Sequence, residues 1–186
     1  MKFYTRPPET IEYNGTEYPL DMRFWRVLAA FDALGDKSLP DDIKARTALN
    51  TLVKGPHPDD VGLLLAILEP LKEPQTGEPP VMDMEQDAEL VYAAFWQAYG
   101  IDLYASDMHY LEFRALMKGL PPGTQLGEVI KIRSMDIPAP NGHNAKQIAE
   151  ILRAKARVSL KKQGNFADGL NAMFDALAKQ AVKKNG

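Results

Sequence analysis

The 186-residue sequence contains no cysteine. This absence excludes disulfide bonds, metal sites built from thiolates and catalysis by a cysteine nucleophile. A reducing compartment is consistent with such a composition. Stability must therefore come from noncovalent packing, and a chain of this length buries about 70% of the surface that its unfolded form exposes. We expect a globular fold that needs no covalent cross-link.

Long hydrophobic runs are also lacking. The longest extends from Val61 to Leu68, whereas a membrane-spanning helix needs about 20 apolar residues. Residues 1–8 contain neither the apolar segment nor the small-residue cleavage site of a signal peptide. The sequence therefore predicts a soluble, cytosolic protein that does not insert into a membrane.

Motifs that mark catalysis are missing as well. The sequence has no glycine-rich phosphate loop, no paired-histidine zinc motif and no nucleophile elbow. His57 and His143 lie in segments rich in proline, glycine and asparagine, which are typical of turns. His109 and Glu112 are three residues apart on a predicted helix, so both side chains are able to reach one metal ion. Since no second set of ligands is evident, we interpret His109 as part of a helix start and expect neither an enzyme nor a cofactor; a metal-dependent hydrolase is the enzymatic alternative.

Two further groups of residues resemble functional sites but are interpreted as structural. Four carboxylates cluster at the start of a predicted helix: Asp83, Glu85, Asp87 and Glu89. Their spacing spreads them over several helix faces, so we interpret them as a solvated helix N-terminus rather than an acid–base pair. Trp25 and Trp96 are interpreted as core residues rather than as a ligand cage.

The periodicity of apolar residues predicts a mainly helical protein. Residues Thr10 to Leu20 alternate in polarity around Asn14-Gly15, the strongest two-residue signal for a β-hairpin. After the hairpin, apolar residues recur at helical spacing, and Asp21 is expected to cap the first helix. The predicted fold is a helical bundle of about seven to eight helices with a small N-terminal hairpin.

The chain is expected to form one helical domain followed by a terminal helix. Residues 1–162 make up the domain with its hairpin, and the proline-rich stretch at 70–82 is a candidate hinge. Residues 163–186 are predicted to form an amphipathic C-terminal helix, which packs back on the bundle or docks on a partner or a second copy. Its apolar stripe consists of Phe166, Leu170, Met173, Phe174 and Leu177.

Charge is distributed unevenly along the chain. Residues 153–186 contain eight Lys/Arg and two Asp, a net charge of +6, which leaves −9 on residues 1–152. Arg153, Arg157 and Lys161 recur four residues apart on one helical stripe. Such a stripe is able to follow nucleic-acid phosphates, although a solvated face opposite the core gives the same pattern.

Four segments carry a resemblance to a known family: Tyr13–Leu20, Asp87–Leu103, Tyr110–Leu120 and Ile130–Pro138. Together they resemble a tail assembly chaperone family of long-tailed phages and prophages of Gram-positive bacteria. The genes of that family usually lie between those of the major tail protein and the tape measure protein. The resemblance covers most of residues 11–160, whereas residues 163–186 do not match.

The resemblance implies a non-catalytic function in protein assembly. Such chaperones hold the tape measure protein soluble in the host cytoplasm until the tail polymerises, and they are absent from the finished virion. It also implies self-association, with the major tail protein as a further candidate partner. The short apolar runs predict no membrane contact, and the charge pattern favours a solvated face over a nucleic-acid partner. Combined with the apolar patterns, the resemblance makes six residues candidates for partner binding: Trp25, Phe166, Leu170, Met173, Phe174 and Leu177. Nucleic-acid binding by the basic C-terminal segment is the alternative function.

Overall fold

The N-terminal hairpin forms as the sequence predicts. The computed structural model describes residues 7–72 and 79–161, and it begins with strands β1 (Thr10–Tyr13) and β2 (Thr16–Pro19). The strands pair antiparallel with Tyr13 opposite Thr16. Asn14 and Gly15 both have positive φ values, of 51° and 74°. This is the geometry of a type I′ turn, which explains the asparagine and the glycine at these two positions.

Helices make up most of the remaining described chain. The α-helices are α1 (Phe24–Gly35), α2 (Asp41–Leu52), α3 (Val61–Leu68), α4 (Ala88–Tyr99), α5 (Tyr110–Lys118), α6 (Gln125–Ser134) and α7 (Ala145–Arg157). One 3₁₀ turn, Glu69–Leu71, extends α3. The prediction of a mainly helical bundle with a small hairpin is confirmed.

The chain folds into two compact units, and the first is discontinuous in sequence. Among the described residues, the first unit comprises 7–72 and 107–115, and the second comprises 79–106 and 116–161. Helix α5 begins in the first unit, and its last turn belongs to the second. None of the described helices is long and apolar enough to cross a lipid bilayer.

Helices α1 and α2 form the centre of the first unit. Aromatic side chains join the start of α5 to α1: the Phe24 and Phe113 rings are stacked with centroids 4.7 Å apart, and Phe31 meets Tyr110 edge-on at 5.7 Å. Both arrangements are favoured by the ring quadrupole. Backbone hydrogen bonds support the same junction, since Phe24 N donates to Met108 O and Tyr110 N donates to Met22 O.

The hairpin is held on the start of α3 by a polar contact. The Tyr13 hydroxyl donates to the Asp60 carboxylate over 2.8 Å, and the same carboxylate accepts from Gly62 N over 2.7 Å, which caps the helix. A Cβ atom on Gly62 would lie 2.3 Å from the Tyr13 hydroxyl oxygen. Glycine therefore fits here because the tyrosine crosses closely over the helix start.

The second unit is built around α6, which packs against both α4 and α7. Its buried apolar side chains in the described residues are Val91, Ala94, Phe95, Leu103 and Leu126. The Thr124 hydroxyl caps α6 by accepting from Gly127 N over 3.1 Å. Gly100 ends α4 with a φ of 65°, the left-handed geometry that glycine adopts at a helix C-terminus.

The predicted division into residues 1–162 and a terminal helix over 163–186 stays a prediction. Residues 162–186 lie outside the described residues, as does most of the candidate hinge at 70–82.

Candidate binding surfaces

Trp25 is the predicted contact residue that the structure describes. It lies in the first turn of α1, and 42% of its surface is exposed. Two guanidinium groups lie over its ring, with the Cζ atoms of Arg23 and Arg26 at 4.6 Å and 4.9 Å from the ring centroid. We call these three residues the Trp25 surface. Cation–π contacts of this kind hold an aromatic ring in place without burying it.

Asp21 hydrogen-bonds Arg23 and lies close to Arg26 in the Trp25 surface. Its buried carboxylate accepts from Arg23 Nε at 2.8 Å and from Arg23 Nη2 at 2.6 Å, and it pairs with Arg26 Nε at 3.5 Å. The hydrogen bonds from Arg23 lower the pKa of Asp21 although burial opposes the shift. Arg23 also binds Asp107 at 3.0 Å. Arg23 is therefore already oriented before any partner arrives, whereas Arg26 Nε makes no hydrogen bond in the described residues.

The predicted role of Asp21 as a helix cap is wrong. Helix α1 begins at Phe24, Arg23 occupies the N-cap position, and no side chain caps the helix. Asp21 N instead donates to Leu52 O over 2.7 Å, which pairs this segment with the end of α2. Since the backbone is held three residues before the helix, the carboxylate meets the arginines rather than the first amides of α1.

In the second unit, the carboxylate of Asp87 is buried rather than solvated. Arg133 on α6 binds it with two bonds, Nη1 to Oδ2 at 2.5 Å and Nη2 to Oδ1 at 2.9 Å. The side chains are 2% and 7% exposed, respectively. Burial raises the pKa of Asp87, but the hydrogen bonds from Arg133 and from the backbone of Asp83, together with the charge of Arg133, bring the pKa below its usual value. The interpretation of this carboxylate as part of a solvated helix start is wrong.

Arg133 also connects other segments of the second unit. Its Nε donates to Val158 O at 2.6 Å, and its Nη1 donates to Val81 O at 3.0 Å. Lys155 on α7 donates to the carbonyls of Arg133 and Met135 at 2.6 Å and 2.5 Å. A cation bound to the last carbonyls of α6 also complements the dipole of that helix. These bonds hold the ends of α6 and α7 and the start of α4 together.

The outer face of α4 presents aromatic side chains to solvent. Trp96 is 55% exposed and Tyr104 is 89% exposed, and the Tyr104 ring contacts the half-buried ring of Tyr92 with centroids 4.9 Å apart. Glu89 lies two helical turns before Trp96 on the same exposed face, and Asp102 accepts from Tyr104 N at 2.9 Å. Burial and the charge of Asp102 raise the pKa of Tyr92. We call these five residues the acidic aromatic surface.

The interpretation of Trp25 and Trp96 as core residues is therefore wrong for both. Helix α4 is apolar on several faces, which is the pattern of a central helix. The core of this unit, however, receives Val91, Ala94 and Phe95 from α4, and the indole lies on the opposite side.

A second exposed apolar area lies on α7 and the segment after α6. Leu152 is 48% exposed, and Met135 and Ile137 are also exposed. A stripe of exposed charged residues runs along α7 at positions i, i+4, i+7 and i+11: Lys146, Glu150, Arg153 and Arg157. Together with Leu152 and the exposed segment Met135, Asp136 and Ile137, these residues form what we call the basic apolar surface, although it contains two acidic side chains. No residue of α7 is buried, although the helix is strongly amphipathic.

His109 caps the N-terminus of α5. Its Nδ1 accepts from Leu111 N at 3.0 Å, and Glu112 accepts from His109 N at 3.3 Å, so the two side chains form a reciprocal cap. Burial lowers the pKa of His109. Among residues 7–72 and 79–161, no group of three or more histidine or acidic side chains is arranged to hold a metal ion. The interpretation of His109 as part of a helix start fits this geometry.

The other predicted contact residues lie outside the described residues. They are Phe166, Leu170, Met173, Phe174 and Leu177. Sequence reasoning did not find the acidic aromatic or the basic apolar surface as binding surfaces. Its one relevant signal was the basic stripe on α7.

Comparison with known proteins gives one family. A family model described as Bacteriophage Gp15 protein matches residues 5–67 and 65–160 of the chain. No curated protein and no solved structure matches the chain.

Proposed function

Since the chain belongs to the Bacteriophage Gp15 protein family, we propose that it is a phage tail assembly chaperone. In this proposal it binds the tape measure protein and keeps it soluble in the host cytoplasm during tail assembly, without catalysing a reaction. The resemblance of segments such as Asp87–Leu103 to tail assembly chaperones supports the specific role.

The single observation that carries the proposal is the Trp25 surface. Tryptophan and arginine are the residues most enriched at the energetic centres of protein interfaces. Here the indole is exposed, while Arg23 over it is already oriented by Asp21, so binding a partner orders few additional side chains. Ala29, four residues after Trp25 on the exposed side of α1, leaves room beside the ring. An amphipathic helix of the partner fits such a surface with its apolar stripe on Trp25.

The non-catalytic part of the proposal is supported by how the polar side chains are used. Asp21, Asp87 and the Nδ1 atom of His109 are each engaged by neighbouring backbone or side-chain groups within their own unit, whereas the buried Nε2 atom of His109 has no hydrogen-bond partner among the described residues. These bonds orient and stabilise the fold, which is the structural role of buried polar groups.

The test is co-expression of the full chain with the tape measure protein of the same phage. We expect the tape measure protein to be insoluble alone, and soluble and co-purified when the wild-type chain is present. Trp25→Ser should weaken the complex about tenfold to thirtyfold, the effect of losing one central interface residue. Equal recovery with wild type and Trp25→Ser would contradict the role of the Trp25 surface.

The matched control is Trp96→Ser, which removes an even more exposed indole, 55% against 42%, from the second unit. This variant should still bind the tape measure protein. If the tape measure protein is soluble by itself and forms no complex with the wild-type chain, the proposed function is wrong.

Nucleic-acid binding is the alternative function. Arg153, Arg157 and Lys161 are all exposed, which this alternative requires. It predicts retention of nucleic acid that falls steeply with salt and weakens when the two arginines are replaced by glutamine. Absence of retention at low salt would end the alternative.

A further inference from the structure

The two arginines of the Trp25 surface differ in how far their charges are used within the first unit. Arg23 donates from Nε and Nη2 to the two carboxylate oxygens of Asp21, and from Nη1 to Asp107. These bonds raise the pKa of Arg23 above its usual value. Every nitrogen of this guanidinium group therefore has an acceptor inside the unit, and none remains for a partner.

Arg26 is only partly engaged. Its Nε lies 3.5 Å from Asp21 Oδ2, an oxygen that already accepts from Arg23 Nη2 at 2.6 Å, and the Nε atom itself makes no hydrogen bond. Among the described residues, the Nη1 and Nη2 atoms of Arg26 donate to no acceptor, and the side chain is 36% exposed. Two amino groups of a charged side chain thus face solvent beside the exposed indole.

The Trp25 ring holds this free end of Arg26 in place. The Cζ atom of Arg26 is 4.9 Å from the ring centroid, so the guanidinium group is positioned by a cation–π contact. A positioned guanidinium group loses little side-chain entropy when it forms a further bond, and its planar N–H groups match the two oxygens of a carboxylate. An apolar contact and an anion contact are therefore offered side by side at the start of α1.

We infer that the partner helix that packs on Trp25 carries an aspartate or glutamate whose carboxylate binds the Nη1 and Nη2 atoms of Arg26. The inference rests on the proposed function, and it adds the chemistry of the segment of the tape measure protein that is recognised. The acidic residue lies three or four positions from the apolar residue on the indole, because side chains at that spacing share one face of a helix. Ala29 and Ala33, four and eight residues after Trp25 on α1, are small enough for the rest of that helix to approach.

The surroundings favour a carboxylate on a protein over the phosphates of a nucleic acid. The described residues of the first unit contain thirteen acidic residues and eight Lys/Arg, a net charge of −5. Nucleic acid carries a charge on every nucleotide, so an extended strand laid across this unit meets overall repulsion. A single carboxylate on an otherwise apolar or basic helix face avoids that repulsion and still pairs with Arg26.

A charge swap between the full chain and the tape measure protein tests the contact. Limited proteolysis of their complex gives the protected tape measure segment, and each Asp or Glu of that segment is replaced by Lys, one at a time. The Kd of every peptide is measured by calorimetry against wild type and against Arg26→Glu. One replacement should weaken binding to wild type about tenfold and strengthen binding to Arg26→Glu by a similar factor. Such compensation requires a direct contact, because a purely structural role of Arg26 would give the same loss with every peptide.

The matched control is Arg46→Glu, the same substitution on α2 at a side chain that is 48% exposed. No peptide should bind this variant more tightly than it binds wild type. Arg26→Gln, which removes the charge without reversing it, should weaken the original peptide about tenfold and make its binding less dependent on salt.

The outcomes separate this inference from the proposed function. If wild type binds the tape measure protein but the protected segment has no acidic residue, or no replacement compensates Arg26→Glu, the inference fails and the proposed function stands. If wild type forms no complex at all, both fail. If Arg26→Gln lowers retention of a DNA duplex and leaves peptide binding unaltered, the anion that Arg26 binds is a phosphate, and the inference is overturned.

Discussion

The two units have nearly equal described lengths, 75 and 74 residues, but very different interiors. Among the described residues, nineteen apolar residues are buried in the first unit and five in the second. The number of exposed large apolar side chains differs in the opposite direction. Among the described residues, the first unit has one, Trp25, and the second has five. The first unit thus has the apolar core of an ordinary globular protein. The second exposes apolar surface of the kind that marks interaction sites.

The units also differ in how they use a buried carboxylate. In the first unit, Asp21 binds Arg23, two residues away, whose side chain is 34% exposed. In the second, Asp87 binds Arg133, 46 residues away, and both side chains are buried. A long-range buried ion pair contributes more to tertiary structure where little apolar area is buried. The comparison indicates that the second unit depends on its polar contacts, and the first on its core.

The largest expected effect comes from breaking the buried pair. Arg133→Met leaves Asp87 charged and without its partner, which should lower the free energy of unfolding of the second unit by about 3–5 kcal/mol. It also removes the bonds to Val81 and Val158. Urea denaturation followed by hydrogen exchange of α4 and α6 measures the loss and assigns it to this unit.

Lys131→Met is the matched control, because Lys131 is exposed and only 3.8 Å from the equally exposed Glu128. It should change stability by less than about 0.5 kcal/mol.

The dependence of stability on acidic pH is a second test of the Asp87–Arg133 pair. The pKa of Asp87 is lowered in the folded state, so its stabilisation is complete above the usual value of 3.8 and is lost as the pH falls through the lower folded value. The difference between wild type and Arg133→Met should shrink over that pH range; a constant difference would mean that packing, not charge, causes it.

A glycine in the second unit gives the next largest effect. A Cβ atom on Gly127 would lie 2.8 Å from the carbonyl oxygen of Pro122, and the backbone is unable to move away without disturbing the cap of α6. Gly127→Ala should therefore destabilise the unit by about 1–3 kcal/mol, despite the better helix propensity of alanine. Gly123→Ala, in the same turn with open space around it, is the control and should be nearly neutral. Similar denaturation midpoints for the two variants would contradict the steric argument.

Much of the fold was predictable because it depends on local sequence. Asn14-Gly15 determines the hairpin turn, and apolar residues at helical spacing locate the helices, since both signals act within a few residues. Asp21 was misassigned for a related reason: the local pattern of a cap is outweighed by pairing with Leu52, which is distant in sequence. The phage origin expected from the resemblance is confirmed by the family match.

The binding surfaces were harder to predict. Pairing of Asp87 with Arg133 across 46 residues requires the tertiary arrangement, which no local pattern contains. The exposure of Trp96 contradicts the general tendency of apolar residues to be buried, and such contradictions are expected at interaction sites. The contact with the tape measure protein and the roles of residues such as Phe166 and Leu170 stay predictions.

The smallest expected effect tests the first unit in the same way as the second. Arg23→Met removes the closer partner of Asp21, but Arg26 remains at 3.5 Å and the surrounding core is intact. The free energy of unfolding should fall by much less than for Arg133→Met, because the pair is partly solvated. Hydrogen exchange of α1 measures this loss, with Arg46→Met, whose exposed side chain is 3.9 Å from Asp59, as control. A loss as large as that of Arg133→Met would mean that the first unit also depends on its ion pair, and that the number of buried apolar residues does not explain the difference between the units.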